Sequence, residues 1–357
     1  MTVLIFLIVF SVLVFVHEFG HFITAKKQGI TVEEFGFGFP PRLLSKIWRG
    51  TRYSLNAIPL GGFVRIKGEE GEEAGAPDSF SGKPIWQRAI VIVAGVFMNV
   101  LLGWALLTGG FIVGMPSIVD DTIPSQYVRD RVLIIRSLLP NAPVETTDFR
   151  VDDVLTNVEG KTIKSVRDLQ EALADRDGKE TSITVERDHE AITRTVTPRY
   201  IPEAKRVGIG IGLDEVGIVR YPFFTALQKG VTATGFILKE IVVSFANLIR
   251  EIVVTRKVSA DLSGPIGIAV LTGQVARRGI AHLFQFTALL SLNLAVLNIL
   301  PIPALDGGRL LFLAIEKIRR RAFKKTTENR INKISFILLL LLVFLVTYRD
   351  VVKFFSL

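Results

Sequence analysis

The chain has no cysteine. That excludes a disulfide scaffold and every thiolate metal site, so a zinc ion here has only His, Asp and Glu to draw on. Histidine is scarce too, with four in 357 residues. Charge is absent from Met1 to Val16 and again from residues 89–114. Runs of this kind, with a hydrophobic fraction of 49% and a mean hydropathy of +0.42, exclude an ordinary soluble enzyme. No basic stretch precedes the first run and no small-residue cleavage site comes before His17, so it is expected to be a retained helix and not a signal peptide. The net charge of +9 is not interleaved with aromatics, which argues against nucleic acid. The basic residues are distributed instead like topology determinants. No internal repeat is present.

What is there begins with four segments near the ~20 residues a helical span needs. They are expected at 1–25, 89–114, 281–308 (its apolar part ending near 300) and 334–352, the last with Lys333, Arg349 and Lys353 as snorkelling anchors. The stretch 26–88 carries ten Lys and Arg, and 309–333 carries nine. The positive-inside rule then puts both in the cytoplasm, and both termini and the region from 115 to 279 outside it.

The first span ends in His17-Glu18-Phe-Gly-His21. On a helix this spacing sets two imidazoles on one face with a carboxylate beside them, the arrangement for a metal and a general base. Ionisable groups at membrane depth cost about 3 kcal/mol each even on the milder insertion scale, so they ask for a functional reason. His17 lies about 24 Å along its helix, in the inner leaflet. The third span closes with Asn293-Leu-Ala-Val-Leu-Asn298-Ile-Leu-Pro301-Ile-Pro303-Ala-Leu-Asp306-Gly-Gly308, where two prolines predict an unwound backbone. Asp306 then joins His17 and His21 as the third ligand of one Zn2+ per chain, with Glu18 as the catalytic base. Asn298, Asn293 and Asn99, with Pro301 and Pro303, are candidates for substrate contact; interhelical hydrogen bonding is the alternative for the asparagines. His189 and His282 have no partners in the sequence and receive no role.

Between the spans, Phe35 to Lys67 alternates apolar and polar residues around Pro40-Pro41 and Pro59-Leu-Gly-Gly62, which predicts a membrane-associated β-hairpin region of short strands and turns within 26–88. Its edges are able to pair with an extended peptide. Glu69, Glu70, Glu72 and Glu73 read as a solvated acidic loop. Residues 120–205 have a soluble pattern of strand, turn, strand, helix and hairpin whose order and length resemble a circularly permuted PDZ domain. Residues 222–258 are apolar, but Lys229, Lys239, Arg250 and Glu251 interrupt them at intervals that suit an interfacial amphipathic helix. A fifth crossing there would put Asp306 on the opposite side from His17.

Together these motifs resemble the site-2 protease family of intramembrane zinc metalloproteases, of the bacterial regulator of sigma-E protease type. Gly95-Val-Phe-Met-Asn99 and Leu262-Ser-Gly-Pro-Ile-Gly267 are supporting matches. Well-known members of that group carry two tandem PDZ domains, and this chain has room for one. The resemblance implies a polytopic α-helical protein of the bacterial inner membrane, with four transmembrane helices, an inserted extracytoplasmic PDZ-like α/β domain and an active site near the cytoplasmic face. It implies cleavage of single-pass membrane proteins already trimmed by another protease, such as an anti-sigma factor or signal-peptide remnants. Two rivals are a catalytically inactive PDZ-bearing membrane scaffold, against which every catalytic residue type is present, and a metal transporter, which needs ionisable residues in a second span that has none.

Overall fold

The computed structural model describes every residue except 70–75, 121, 188–189, 203–204, 256–263, 322, 324 and 356–357. Glu70, Glu72, Glu73, His189 and the Leu262-Ser263 start of one supporting motif therefore lie outside the described residues, as does the side chain of Lys353. The chain forms two compact units, residues 1–110 with 227–357, and residues 111–226.

The first unit starts with helix α1 (Thr2–Lys27), then strands β1 (Val32–Trp48) and β2 (Thr51–Ile66), then helix α2 (Ile85–Val113). After the second unit it resumes with α4 (Phe223–Thr255), α5 (Pro265–Arg277), α6 (Ile280–Ile299), α7 (Asp306–Arg319) and α8 (Lys325–Phe355). Among the described residues, four helices are long and apolar enough to cross a membrane: Thr2–Lys27, Ile85–Val113, Ile280–Ile299 and Thr326–Val352. The 33-residue α4 is not among them.

Small residues set the helix packing. A Cβ on Gly20 would lie 2.4 Å from the Ala94 carbonyl oxygen, so α1 and α2 meet backbone to backbone, as membrane helices do where side chains are small. A Cβ on Gly103 would meet Leu292 at 2.6 Å, which brings α6 against α2 in the same way. Helix α5 starts on a proline, whose missing N–H costs nothing at that position. Its Gly267 N–H donates to Asp350 of α8 at 2.8 Å, and Gly273 sits against Thr2 of α1.

The expectation of short strands across 35–67 is corrected: β1 and β2 have 17 and 16 residues. Register shifts absorb the glycines and prolines without ending the strands. The same shifts let β1 meet β2 twice, with Phe35 opposite both Val64 and Tyr53, and Gly36 opposite both Phe63 and Ser54. This ribbon lies along α1. Ser11 donates to the Pro59 carbonyl at 2.7 Å and accepts from Gly61 N–H at 3.3 Å, while Lys26 reaches the Arg49 carbonyl at 3.2 Å. Phe35 stacks on Phe22 at 4.7 Å and contacts Phe15 at 5.2 Å. The Pro59–Gly61 part of β2 therefore stands about 9 Å nearer the start of α1 than His17 does.

The segment 309–333 between the third and fourth apolar helices is itself helical over most of its length. Phe312 and Leu313 are buried while Lys317 and Arg319 end the helix, so α7 is an amphipathic helix, and α8 begins at Lys325.

The second unit holds β3 (Met115–Ile118), β4 (Val128–Leu138), β5 (Val154–Val158), β6 (Lys161–Thr162), α3 (Val166–Leu173), β7 (Thr181–Arg187), β8 (Glu190–Val196), β9 (Arg199–Ile201), β10 (Arg206–Gly208) and β11 (Ile211–Val219). One antiparallel sheet has the order β3-β11-β4-β5-β7-β8, with β6 on β5, and β9 pairs with β10. Leu133, Ile135, Leu155, Ile183, Val185 and Ile209 form its core, and α3 covers it through Leu169 and Leu173 behind a Ser165–Asp168 capping box. The 120–205 boundary is corrected, because β3 and β11 belong to the same sheet. The Val207-Gly-Ile-Gly-Ile-Gly-Leu213 run that leads into β11 lacks the apolar–polar alternation that betrays a strand.

Candidate metal centre

Positions 17 and 21 of α1 share the face turned to α2. Gly95 makes room for them: a Cβ there would stand 2.3 Å from His21 Nε2 and 2.8 Å from His17 Cε1. The third residue arrives from the break between α6 and α7. There the chain folds back over the first turn of α7, and only glycine fits beneath it. A Cβ on Gly307 would be 2.1 Å from the Leu300 carbonyl oxygen, and one on Gly308 would be 2.4 Å from that of Ile302. Ala304 is held at φ +75°, a conformation that costs a non-glycine residue energy. Its N–H donates to Asn332 of α8 at 3.2 Å. Pro301 and Pro303 shape this fold-back; among the described residues they do not line the cavity at the site.

The result is a close triangle. His17 Nε2 lies 3.0 Å from Asp306 Oδ2, His21 Nε2 lies 3.3 Å from the same oxygen, and the two nitrogens are 3.1 Å apart. The side chains keep only 11%, 10% and 12% exposure. Asp306 Oδ2 is buried with no hydrogen-bond donor of acceptable geometry among the described residues. Two imidazole nitrogens and a carboxylate oxygen gathered this tightly suit a cation. Tetrahedral zinc with bonds of about 2.0–2.1 Å separates its donors by roughly 3.3 Å. His21 donates from Nδ1 to the Val91 carbonyl at 2.9 Å, which leaves its Nε2 lone pair free for metal. The donor set fits zinc.

Glu18 shares a cavity of about 490 Å³ with all three. Asn99 and Asn298 also line it. Asn293 does not: its amide donates to the Leu289 carbonyl of its own helix at 2.9 Å. Glu69 is a correction to the solvated-loop reading. It lies at the cavity in an ion pair with Arg309, one turn after Asp306. The signal available in the sequence was Arg309 itself, since a cation that close to a buried site needs a counter-charge. His282 is set apart from the cavity lining.

In the second unit, an apolar groove of about 140 Å³ runs between α3 and β11, lined by Val166, Leu169, Ile211 and Leu213 with Arg206 beside it. β3 pairs with β11 only at Val216–Val219, so on that side the edge from Ile211 to Asp214 has no neighbouring strand among the described residues.

Residues 5–342 match peptidase family M50. The regulator of sigma-W protease RasP of Bacillus subtilis is 30% identical over 440 aligned residues, covering 99% of each chain. The zinc metalloprotease RasP of Geobacillus kaustophilus is 30% identical over 434, covering 98% of this chain and 97% of its own. Among solved structures, the PDZ domain of an SdrC-like protein of Listeria monocytogenes matches 23% of this chain and 85% of its own, at 18% identity and a TM-score of 0.21.

Proposed function

This chain belongs to peptidase family M50, and on that premise we propose that it cleaves single-pass membrane proteins within or near their transmembrane segments, after another protease has removed the outer domain. It is a multi-pass membrane zinc metalloprotease. The observation that carries the reading is the triangle of His17, His21 and Asp306 with Glu18 in the same cavity. Zinc held there supplies Lewis acidity and a water acidic enough to ionise near neutral pH. Glu18 takes a proton from the attacking water and later delivers it to the leaving amine. Asn298, on the cavity wall, is our candidate for a hydrogen bond to the substrate backbone. The substrate helix must unwind first, because an intact helix keeps its carbonyls occupied.

We assign 26–88 and 309–333 to the cytoplasmic side, the second unit to the outer side of a bacterial inner membrane and α4 to the interface, on the distribution of Lys and Arg. The name of the Bacillus subtilis relative refers to sigma-W regulation. A membrane-anchored regulator of that kind is the substrate class we favour, with signal-peptide remnants a second source of short membrane segments. The groove beside α3 favours a terminus-binding role for the second unit over a purely steric one. A chain end added along the open half of β11 would find backbone partners, apolar side chains and the Arg206 cation.

The test is cleavage of a single-pass substrate by the purified chain in detergent. Glu18→Gln is expected to keep one zinc per chain and lose at least about 100-fold in kcat. Cleavage by Glu18→Gln at the wild-type rate would overturn the assignment. For the groove, a trimmed substrate with a free apolar carboxyl end should have a lower KM than the same substrate amidated at that end. Equal KM values would leave the second unit a steric filter.

A further inference from the structure

We propose that Asn99 is a positioning residue for His17, accepting the His17 Nδ1 proton on its side-chain oxygen and so turning the Nε2 lone pair toward the metal. The inference rests on the zinc reading above and replaces substrate contact as the role of this residue.

The two histidines need the same service. A neutral imidazole carries one proton, so a ring that offers Nε2 to a metal holds the proton on Nδ1 and needs an acceptor there. His21 has one in the Val91 carbonyl at 2.9 Å. For His17, the group facing Nδ1 is the Asn99 amide, with Nδ2 at 3.3 Å. As placed, that sets a donor against a donor. Asn99 is 0% exposed, and its Oδ1 is buried without a partner among the described residues. Oxygen and nitrogen of an amide are interchanged by a half-turn, and the hydrogen-bond network decides between them. The half-turn gives the Nδ1–H of His17 its acceptor and the orphaned oxygen its donor in one step.

The surroundings hold Asn99 in place for this role. Ser291 of α6 donates to its main-chain carbonyl at 2.7 Å, and Ser291 is itself 0% exposed. Val91, Gly95 and Asn99 stand four residues apart on α2, the same interval that separates His17 from His21 on α1. One stripe of α2 thus provides a main-chain acceptor for one ligand, clearance for both rings, and a side-chain acceptor for the other.

The experiment compares the full chain with Asn99→Leu, which keeps the volume without an acceptor, and Asn99→Asp, which keeps the acceptor. Apo protein is titrated with zinc against a competing chromophoric chelator, and the histidine tautomers are read by nitrogen NMR on histidine-labelled protein. Asn99→Leu should bind zinc about 10- to 100-fold more weakly. In it the His17 ring should lose its single Nδ1–H tautomer, while Asn99→Asp stays within a few fold of wild type with the tautomer intact. Wild-type zinc affinity in Asn99→Leu overturns the proposal, most directly if KM for substrate rises instead. Equal loss in both variants also overturns it, since packing alone would then be responsible. Failure of the underlying zinc reading looks different: the wild-type chain itself would bind no stoichiometric zinc.

Discussion

A single methyl group at position 95 would stand among the ring atoms of both histidines. Gly95→Ala should therefore lose most of the bound zinc, and with it activity, while its helix content stays at the wild-type level. Gly109→Ala, on the same helix with nothing near its Cβ, should be indistinguishable from wild type. Elemental analysis and circular dichroism of the two variants check this, and zinc retention by Gly95→Ala would refute the steric account. At this scale the sequence was informative where chemistry has a fixed spacing. His17, Glu18 and His21 announce themselves because a helix puts positions four apart on one face, and Asp306 because a carboxylate between prolines and glycines in an apolar run has few other uses. The Val91 carbonyl was not legible, since every residue has one. The role of Gly95 was not either, because it depends on which helix lies opposite.

The break between α6 and α7 shows how an element can be half-read. Two prolines foretold unwinding, yet the fold-back that aims Asp306 depends on the glycines after it and on Asn332 from another helix. Gly308→Ala should push the Ile302 carbonyl away and abolish zinc binding, as measured by elemental analysis; full occupancy would show that the loop adapts. In the second unit the pattern revealed the hairpin of β7 and β8 but not β11, whose glycines hide its alternation. That sheet carries its own pH sensitivity. Burial of Asp153 opposes its charge, but the Arg187 guanidinium, with bonds of 2.7 Å, and the Arg150 N–H outweigh burial and hold its carboxyl below the usual range. A group depressed in the folded state adds stability that is fully present above its unfolded value near about 3.9 and fades as pH falls through the folded one. Exchange protection of β5 and β7 amides, corrected for intrinsic rates, should thus decline below about pH 4 in the wild-type chain. In Asp153→Asn it should start lower at neutral pH, by about 1–3 kcal/mol, and change less on acidification. Parallel profiles for the two proteins would count against the pair.

For the whole molecule, the absence of cysteine makes topology directly measurable. With Asp177→Cys and Thr326→Cys made separately, an impermeant thiol reagent applied to intact cells should label the first and spare the second; the reverse would refute our orientation. The four crossings were legible because apolar length is a strong signal, whereas α5 was not, since its 13 residues are too few for a span and too apolar for a loop. The fold-back held by Asn332 also has a consequence in time. His17 and His21 leave the ribosome early, Asp306 follows after most of the chain, and Ala304 gains its hydrogen bond only when the start of α8 has been made. The full donor set and its backing hydrogen bond thus come together only late in the order of the chain. A chain stopped after Arg319 should hold His17, His21 and Asp306 yet retain less zinc than the full-length one, because it lacks Asn332.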